Sequence, residues 1–230
     1  KRRAKYIIIG LSDNYSIIAH LGMSGSYKVL KKSEEQDYAI LKHDHLIFDL
    51  DNFKIVYNDP RRFGYIDLTN QEPETHKFLS SLGPEPLSNY FNADGIAKTL
   101  FNRSKPIKNL LLDQNIVSGL GNIYVCEALF RSKINPKKNC SKLVTSKGKP
   151  RKDLILLVQK INEVIKEAIE VGGSSLRDFS NINGKMGYFQ SSFNVYNREN
   201  EKCLLDCCDG VIKRIIQSGR STFFCSKCQK

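Results

Sequence analysis

Residues 202–230, KCLLDCCDGVIKRIIQSGRSTFFCSKCQK, carry five of the chain's seven cysteines, and no other stretch restricts the fold as tightly. Cys225 and Cys228 form a C-x-x-C turn, the spacing that presents two thiolates to one metal ion. Upstream of them, VIKRII and STFF are β-type runs joined by Gln217, Ser218, Gly219 and Arg220. A hairpin there returns the second pair of cysteines to the first, so the segment reads as a zinc ribbon or finger. Sixteen residues separate Cys208 from Cys225, enough for two strands and a turn. Cys203 lies within finger spacing of both Cys207 and Cys208. Cys203, Cys208, Cys225 and Cys228 are read as ligands of one zinc ion with Cys207 spare; Cys207 in place of Cys208 is the open alternative. Four thiolates leave no coordination position free, so the metal is structural and the function lies in what the hairpin displays. Gly219 permits the turn, and Arg220 beside it can reach a phosphate bidentately.

An odd number of cysteines, clustered as metal pairs, favours metal binding in a reducing compartment over a disulfide framework. Cys126, inside NIYVCEALF, reads as a helix core residue and Cys140 as a loop thiol. The formal charge of +12 calls for a polyanionic partner. No apolar run reaches membrane-spanning length, which leaves nucleic acid as the better partner class.

Residues 1–70 alternate short β-rich runs with turn residues. KYIIIGL and YSIIAHL flank a Ser-Asp-Asn turn, and HLIFDL, KIVY and YIDL follow. They predict an antiparallel sheet or sandwich. LGPEPLS, with two prolines and a glycine, reads as the way out of it. The period then becomes helical. Asn92 is placed to cap one helix and Pro106 to occupy the first turn of another. In the last helix Leu154, Leu157, Val158, Ile161, Val164, Ile165, Ala168 and Ile169 form a stripe that Gly172 can end. The basic run SKGKPRK before it reads as a solvated loop. In LLLDQNIVSGLGNIYVCEALF two helices meet at a turn with two glycines, and the free N–H groups of the second helix suit an anion. That segment, NDPRRFG and LGMSG each have a bland reading too: a helical hairpin, a solvated turn, a hairpin with Met23 in the core.

Taken together, HLGMSG, KHDHL, NDPRRFG, LGPEPL, LLDQNIVSGLGNIYVCEALF, INP, GYFQSSFNVY and GRSTFFCSKCQK resemble the formamidopyrimidine-DNA glycosylase family, in that family's order and over essentially all 230 residues. The resemblance implies bacterial base-excision repair of oxidised purines, with abasic-site β,δ-lyase activity. It implies an α+β fold: a partial antiparallel β-sandwich over 1–82, a helix–two-turn–helix domain over 83–180, and a lesion-capping loop with a C-terminal zinc-finger β-hairpin over 181–230. Double-stranded damaged DNA is the implied partner, zinc the cofactor, a monomer the state, and the bacterial cytoplasm the location.

By motif, Met23, Arg61 and Phe63 resemble the residues that fill the gap left by an extruded nucleotide. The chemistry suits them, since Phe can wedge a base step and Arg can pair with an orphaned base. Lys5 resembles a catalytic lysine that donates a proton in β-elimination. His43, Arg61, Arg103 and Asn122 resemble DNA-binding positions, and Arg220 both a phosphate grip and a catalytic group in δ-elimination. MGYFQSS, residues 186–192, resembles the loop that closes over the flipped base.

Two departures from the pattern stand out. CLLDCC replaces the family's first C-x-x-C with an apparent two-residue insertion. The family's nucleophile is an N-terminal proline followed by glutamate, whereas this sequence opens at Lys1, almost directly in a strand. The expectation is a chain that has lost its own beginning and that binds damaged DNA but turns it over poorly or not at all. A damaged-DNA binding protein without catalysis and a zinc-ribbon scaffold protein are the competing expectations.

Overall fold

Alternation of branched apolar and polar residues, punctuated by Asn, Asp and Gly, dictates seven short strands among the described residues of the first third of the chain. They are β1 (Arg2–Arg3), β2 (Tyr6–Gly10), β3 (Ser16–His20), β4 (Ser26–Lys31), β5 (Asp44–Asp49), β6 (Phe53–Asn58) and β7 (Tyr65–Thr69). The computed structural model describes residues 1–34, 38–174 and 187–230. Met186 of MGYFQSS therefore lies outside the described residues.

The described chain forms two compact units, residues 1–80 with 174–188, and residues 81–173 with 189–230. The first holds two antiparallel sheets, ordered β1-β2-β3-β7 and β4-β6-β5. In the β2–β3 hairpin Ile8 lies opposite Ile18, and β7 continues the ladder with Asp67 opposite Ile18. Ile17, Ile18, Ala19, Val56 and Tyr57 are buried and form the core of this unit. A bulge between Asp44 and Leu46 interrupts the β5–β6 ladder beside His43.

The second unit contains α1 (Ala93–Leu100), α2 (Ile107–Leu111), α3 (Asn122–Arg131), α4 (Lys152–Glu170) and the hairpin β8 (Ile212–Gln217) with β9 (Arg220–Cys225). The Asn92 side chain caps α1, its Oδ1 accepting from Gly95 N at 2.9 Å. Pro106 sits one residue earlier than expected, at the cap of α2, where its ring and missing N–H cost the helix nothing. On α4 the buried residues are Leu154, Leu157, Val158, Ile161, Val164 and Ala168. Ile169 departs from the expected stripe and is 66% exposed. At 3.6 residues per turn it lies about a quarter turn from the stripe's centre. Gly172 and Gly173 end the helix with positive φ, and Gly173 N donates to Ala168 O at 2.7 Å. SKGKPRK is not a loose loop. Val144 and Pro150 form an antiparallel bridge, and Thr145 N donates to Lys149 O at 2.8 Å. Nor is Cys140 a loop thiol: it is fully buried, and its Sγ donates to Arg103 O at 3.0 Å. Cys126 is buried among Phe130, Val195, Ile212 and Phe223, as a core residue should be.

Candidate nucleic-acid interface and metal centre

In the first unit a single carboxylate organises two turns. Asp59, only 1% exposed, accepts from Ser24 Oγ at 2.6 Å and Arg61 N at 3.3 Å on Oδ1, and from Gly64 N at 2.7 Å and Tyr57 OH at 3.1 Å on Oδ2. The Ser24 contact ties LGMSG to NDPRRFG, so the turn bearing Met23 is fastened to the turn bearing Arg61 and Phe63. Burial, which raises a carboxyl pKa, is outweighed by the donors of Ser24, Gly64, Tyr57 and Arg61, and Asp59 titrates below its usual range. Anchored from beneath, Met23 and Phe63 stand out into solvent at 49% and 60% exposure. Met23 is therefore not a core residue of its hairpin. The Arg61 guanidinium lies 5.1 Å from the centre of the Phe63 ring, a cation–π contact.

His43 joins the same group through its backbone, its carbonyl accepting from Asp59 N at 3.0 Å. Lys5 occupies the turn between β1 and β2. Its charge reaches His20, whose pKa is lowered by burial first and by Lys5 second. The His20 Nδ1 accepts from Gly22 N at 2.9 Å, so this histidine also braces the Met23 turn.

In the second unit α3 starts at Asn122 with no capping side chain, leaving its first N–H groups for an external acceptor. Asn122 Nδ2 donates to Ser221 O at 2.9 Å and to Tyr196 OH at 3.3 Å. Ser221 is the neighbour of Arg220, so the helix start and the finger are joined within one residue of the arginine. Ser218 and Gly219 form the two-residue hairpin turn, both with positive φ, as turns of the I′ type require. Arg220 is exposed and opens β9 opposite Gln217.

Two buried charged residues in this unit escaped the sequence reading. Lys108, on α2, is 0% exposed, and its Nζ donates to Thr222 Oγ1 at 2.7 Å and to Ser221 O at 3.3 Å. Burial pushes this ammonium below its ordinary pKa, and the like charge of Arg220 adds to the effect. Glu127, on α3, accepts from Asn194 N, Val195 N and Tyr196 N at 2.9, 3.0 and 3.0 Å, and from Asn194 Nδ2 at 3.0 Å. It fixes the strand of chain leading into the finger.

The lowered pKa of Lys108 fixes the sign of a pH effect. The unfolded chain binds the proton more tightly than the folded one, so the penalty falls as pH rises from the folded pKa toward about 10.4. Wild type should gain stability relative to Lys108→Met between pH 7 and pH 10 in urea unfolding; a constant difference would show that the ammonium carries no burial penalty.

Cys203, Cys208, Cys225 and Cys228 bring their Sγ atoms within 4.8 Å of one another. Cys203 and Cys228 are 3.8 Å apart and Cys208 and Cys225 3.7 Å apart, sulfur to sulfur. A tetrahedron with metal–sulfur bonds of about 2.3 Å has edges of about 3.8 Å, so the four thiols fit one ion. Cys207 is exposed with φ +63° and stands outside the cluster. Gly210 is required here because a Cβ would lie 2.6 Å from Cys225 Sγ and 3.2 Å from Cys208 Sγ. Burial pushes the Cys203 and Cys228 thiols up. At Cys225 burial is outweighed by the N–H groups of Cys228 and Lys227, and that thiol is lowered.

Residues 1–66 match the family model for the formamidopyrimidine-DNA glycosylase N-terminal domain, and residues 82–180 match that family's H2TH domain. The chain belongs to the formamidopyrimidine-DNA glycosylase family. The formamidopyrimidine-DNA glycosylases of Agrobacterium fabrum and Roseobacter denitrificans are 46% and 49% identical to it over 244 and 236 aligned residues. Those alignments take in 100% of this chain and 82% and 81% of the relatives. Among solved structures, the Lactococcus lactis Fpg in complex with abasic-site DNA superposes with a TM-score of 0.86 at 36% identity, covering 100% of this chain and 80% of that one. A mutant of the same protein with Fapy-dG containing DNA gives the same TM-score, identity and coverage. The fold is that of the family: mixed helices and antiparallel sheets with a cysteine cluster near the C-terminus.

Proposed function

We propose that this chain is a DNA-repair glycosylase that binds damaged duplex DNA, extrudes an oxidised purine nucleotide and takes part in abasic-strand elimination. The observation that carries the reading is the shared anchor of Asn122 and Arg220. The two positions that this reading makes phosphate grips, far apart in sequence, meet at Ser221 through Nδ2 of Asn122 and the peptide bond after Arg220. The curated relatives bear the glycosylase name over this chain's full length, which supports the same reading.

Each residue then has a task. Phe63 wedges the base step, Met23 fills the vacated stack, and Arg61 offers its guanidinium to the orphaned base. His43, Arg103 and Asn122 hold backbone phosphates. Lys5 delivers a proton in β-elimination, and Arg220 holds a phosphate and assists the δ step. The resemblance assigns the attacking amine to an N-terminal proline, and no residue of these 230 is given that task. A zinc ion held by Cys203, Cys208, Cys225 and Cys228 supplies structural cross-linking of the finger and no reactive position. The reading also makes the protein a cytoplasmic monomer. Among the described residues, no helix is long and apolar enough to cross a membrane.

Titration of a duplex bearing an abasic-site analogue tests the binding claim. Affinity should fall by about 0.9 log unit per tenfold rise in salt for each phosphate contact. Arg220→Ala and Asn122→Ala should each weaken binding about tenfold or more, whereas Phe63→Ala should chiefly reduce the preference for damaged over intact duplex. Binding that ignores salt, or survives both phosphate-grip variants unchanged, would sink the reading.

A further inference from the structure

Arg103 and two residues of the run SKGKPRK, Ser146 and Arg151, which sequence alone leaves unrelated, line one cleft of about 580 Å³ in the second unit. Arg103, Lys142 and Arg151 contribute three cations, with hydroxyls from Ser104 and Ser146 and no acidic side chain in the lining. Some basic residues of this unit have acidic partners, as Arg131 has Glu167, Lys138 has Asp153 and Lys160 has Glu163. The cleft's cations have none among the described residues. Like charges held together without a counter-charge raise each other's energy, and a bound anion relieves it.

The cleft is also held in shape. The buried Cys140 thiol and the Cys140 N–H, bonded to Arg103 O and Lys105 O at 3.0 Å each, fix the segment that carries Arg103. Arg151 Nε donates to Val144 O at 2.9 Å, which sets the guanidinium at the rim. Gly148 N donates to Thr145 O at 2.9 Å, closing the turn that carries Ser146.

We infer that this cleft is an outer phosphate-binding site for the sugar–phosphate backbone of the bound DNA, with Lys142 and Arg151 extending a track that starts at Arg103. The inference rests on the reading of the chain as a DNA-binding glycosylase. Its openness and its cations and hydroxyls suit a phosphodiester and offer no edge-specific pattern for bases. The site therefore adds affinity and salt dependence without selecting the lesion.

The test compares wild type, Lys142→Gln, Arg151→Gln and the double variant on a 30-base-pair duplex with a central abasic-site analogue, with Arg220→Ala in parallel. Each cleft substitution should lower the salt slope by about 0.9 and the affinity at 0.1 M salt by about eightfold. Ethylation interference should lose the same phosphates in both single variants, with zinc content and urea midpoint unchanged. An unchanged slope and footprint in the double variant, alongside weakened binding in Arg220→Ala, would overturn the cleft and leave the glycosylase reading standing. Absence of duplex binding in folded wild type would overturn both. If inorganic phosphate at constant ionic strength shifts the Ser104 and Ser146 amide resonances while the DNA footprint ignores both substitutions, the site takes free phosphate and the backbone assignment fails.

Discussion

Cys225→Ser and Cys208→Ser should each reduce bound zinc from one ion per chain toward none, while Cys207→Ser should retain it in full. The four Sγ atoms already sit at the edge lengths of a tetrahedral site, with Cys207 outside the cluster. Removal of one thiolate leaves three soft ligands, and apparent binding energies of structural zinc in finger peptides are about 10–16 kcal/mol at pH 7. A large part of that energy supports the hairpin, because β8 and β9 alone are two strands with little core of their own. Their buried residues Ile212 and Phe223 pack in one cluster with Cys203, Cys225 and the α3 residues Cys126 and Phe130. Loss of the metal should therefore expose residues 202–230 to proteolysis and loosen the α3 contact. It should also displace Arg220; the loss of one charge-assisted contact costs about 1.5–3 kcal/mol, or roughly 10- to 150-fold in DNA affinity. Metal content by absorption spectrometry, limited proteolysis and duplex titration measure the three effects. Full zinc in Cys208→Ser with loss in Cys207→Ser would reverse the ligand assignment.

The cysteine pattern was legible because thiolate spacing is a local property of the chain, and Cys208 could be preferred to Cys207 by counting residues to Cys225. The strands and α4 were legible for the same reason: Ile8, Ile17 and Ile18, or Leu154, Leu157 and Ile161, follow the period of the element that buries them. What sequence could not show is which polar residue inside a motif is buried. Asp59 stands in NDPRRFG, Lys108 in KPIKNLLLDQ and Glu127 in NIYVCEALF, each looking like an ordinary surface charge. Their decisive partners are 35, 114 and 68 residues away along the chain. A charge at that separation is placed by the fold, and only the fold reveals that Asp59 gathers the turns while Lys108 and Glu127 gather the finger. The basic run at 146–152 failed the same way, since its hydrogen bonds close locally but its relation to Arg103 passes through Cys140.

Asp59→Asn should be the most damaging isosteric change in the first unit, costing about 1.5–3 kcal/mol of stability from the loss of charge-assisted bonds. Both carboxylate oxygens are acceptors here. An asparagine can keep one pair of donors, but its amide nitrogen must then face either Gly64 N and Tyr57 OH or Ser24 Oγ and Arg61 N. The hydroxyls can rotate to accept, whereas a backbone N–H cannot: one orientation leaves Gly64 N without its acceptor, and the other turns the amide nitrogen toward Arg61 N, which keeps Ser24 Oγ at 3.1 Å. Because Asp59 joins the Met23 turn to the Arg61 and Phe63 turn, the preference for damaged over intact duplex should weaken along with stability. The pH dependence follows from the lowered pKa. The folded carboxyl binds its proton less readily than the unfolded one, so its stabilisation is complete above the unfolded value near 3.9 and is lost as pH falls through the lower folded value. Urea unfolding of the two proteins from pH 7 to pH 3 should show a wide gap that narrows below about pH 4. A gap under about 0.5 kcal/mol at pH 7, or one that stays constant to pH 3, would show that the charge on Asp59 does not hold the two turns together.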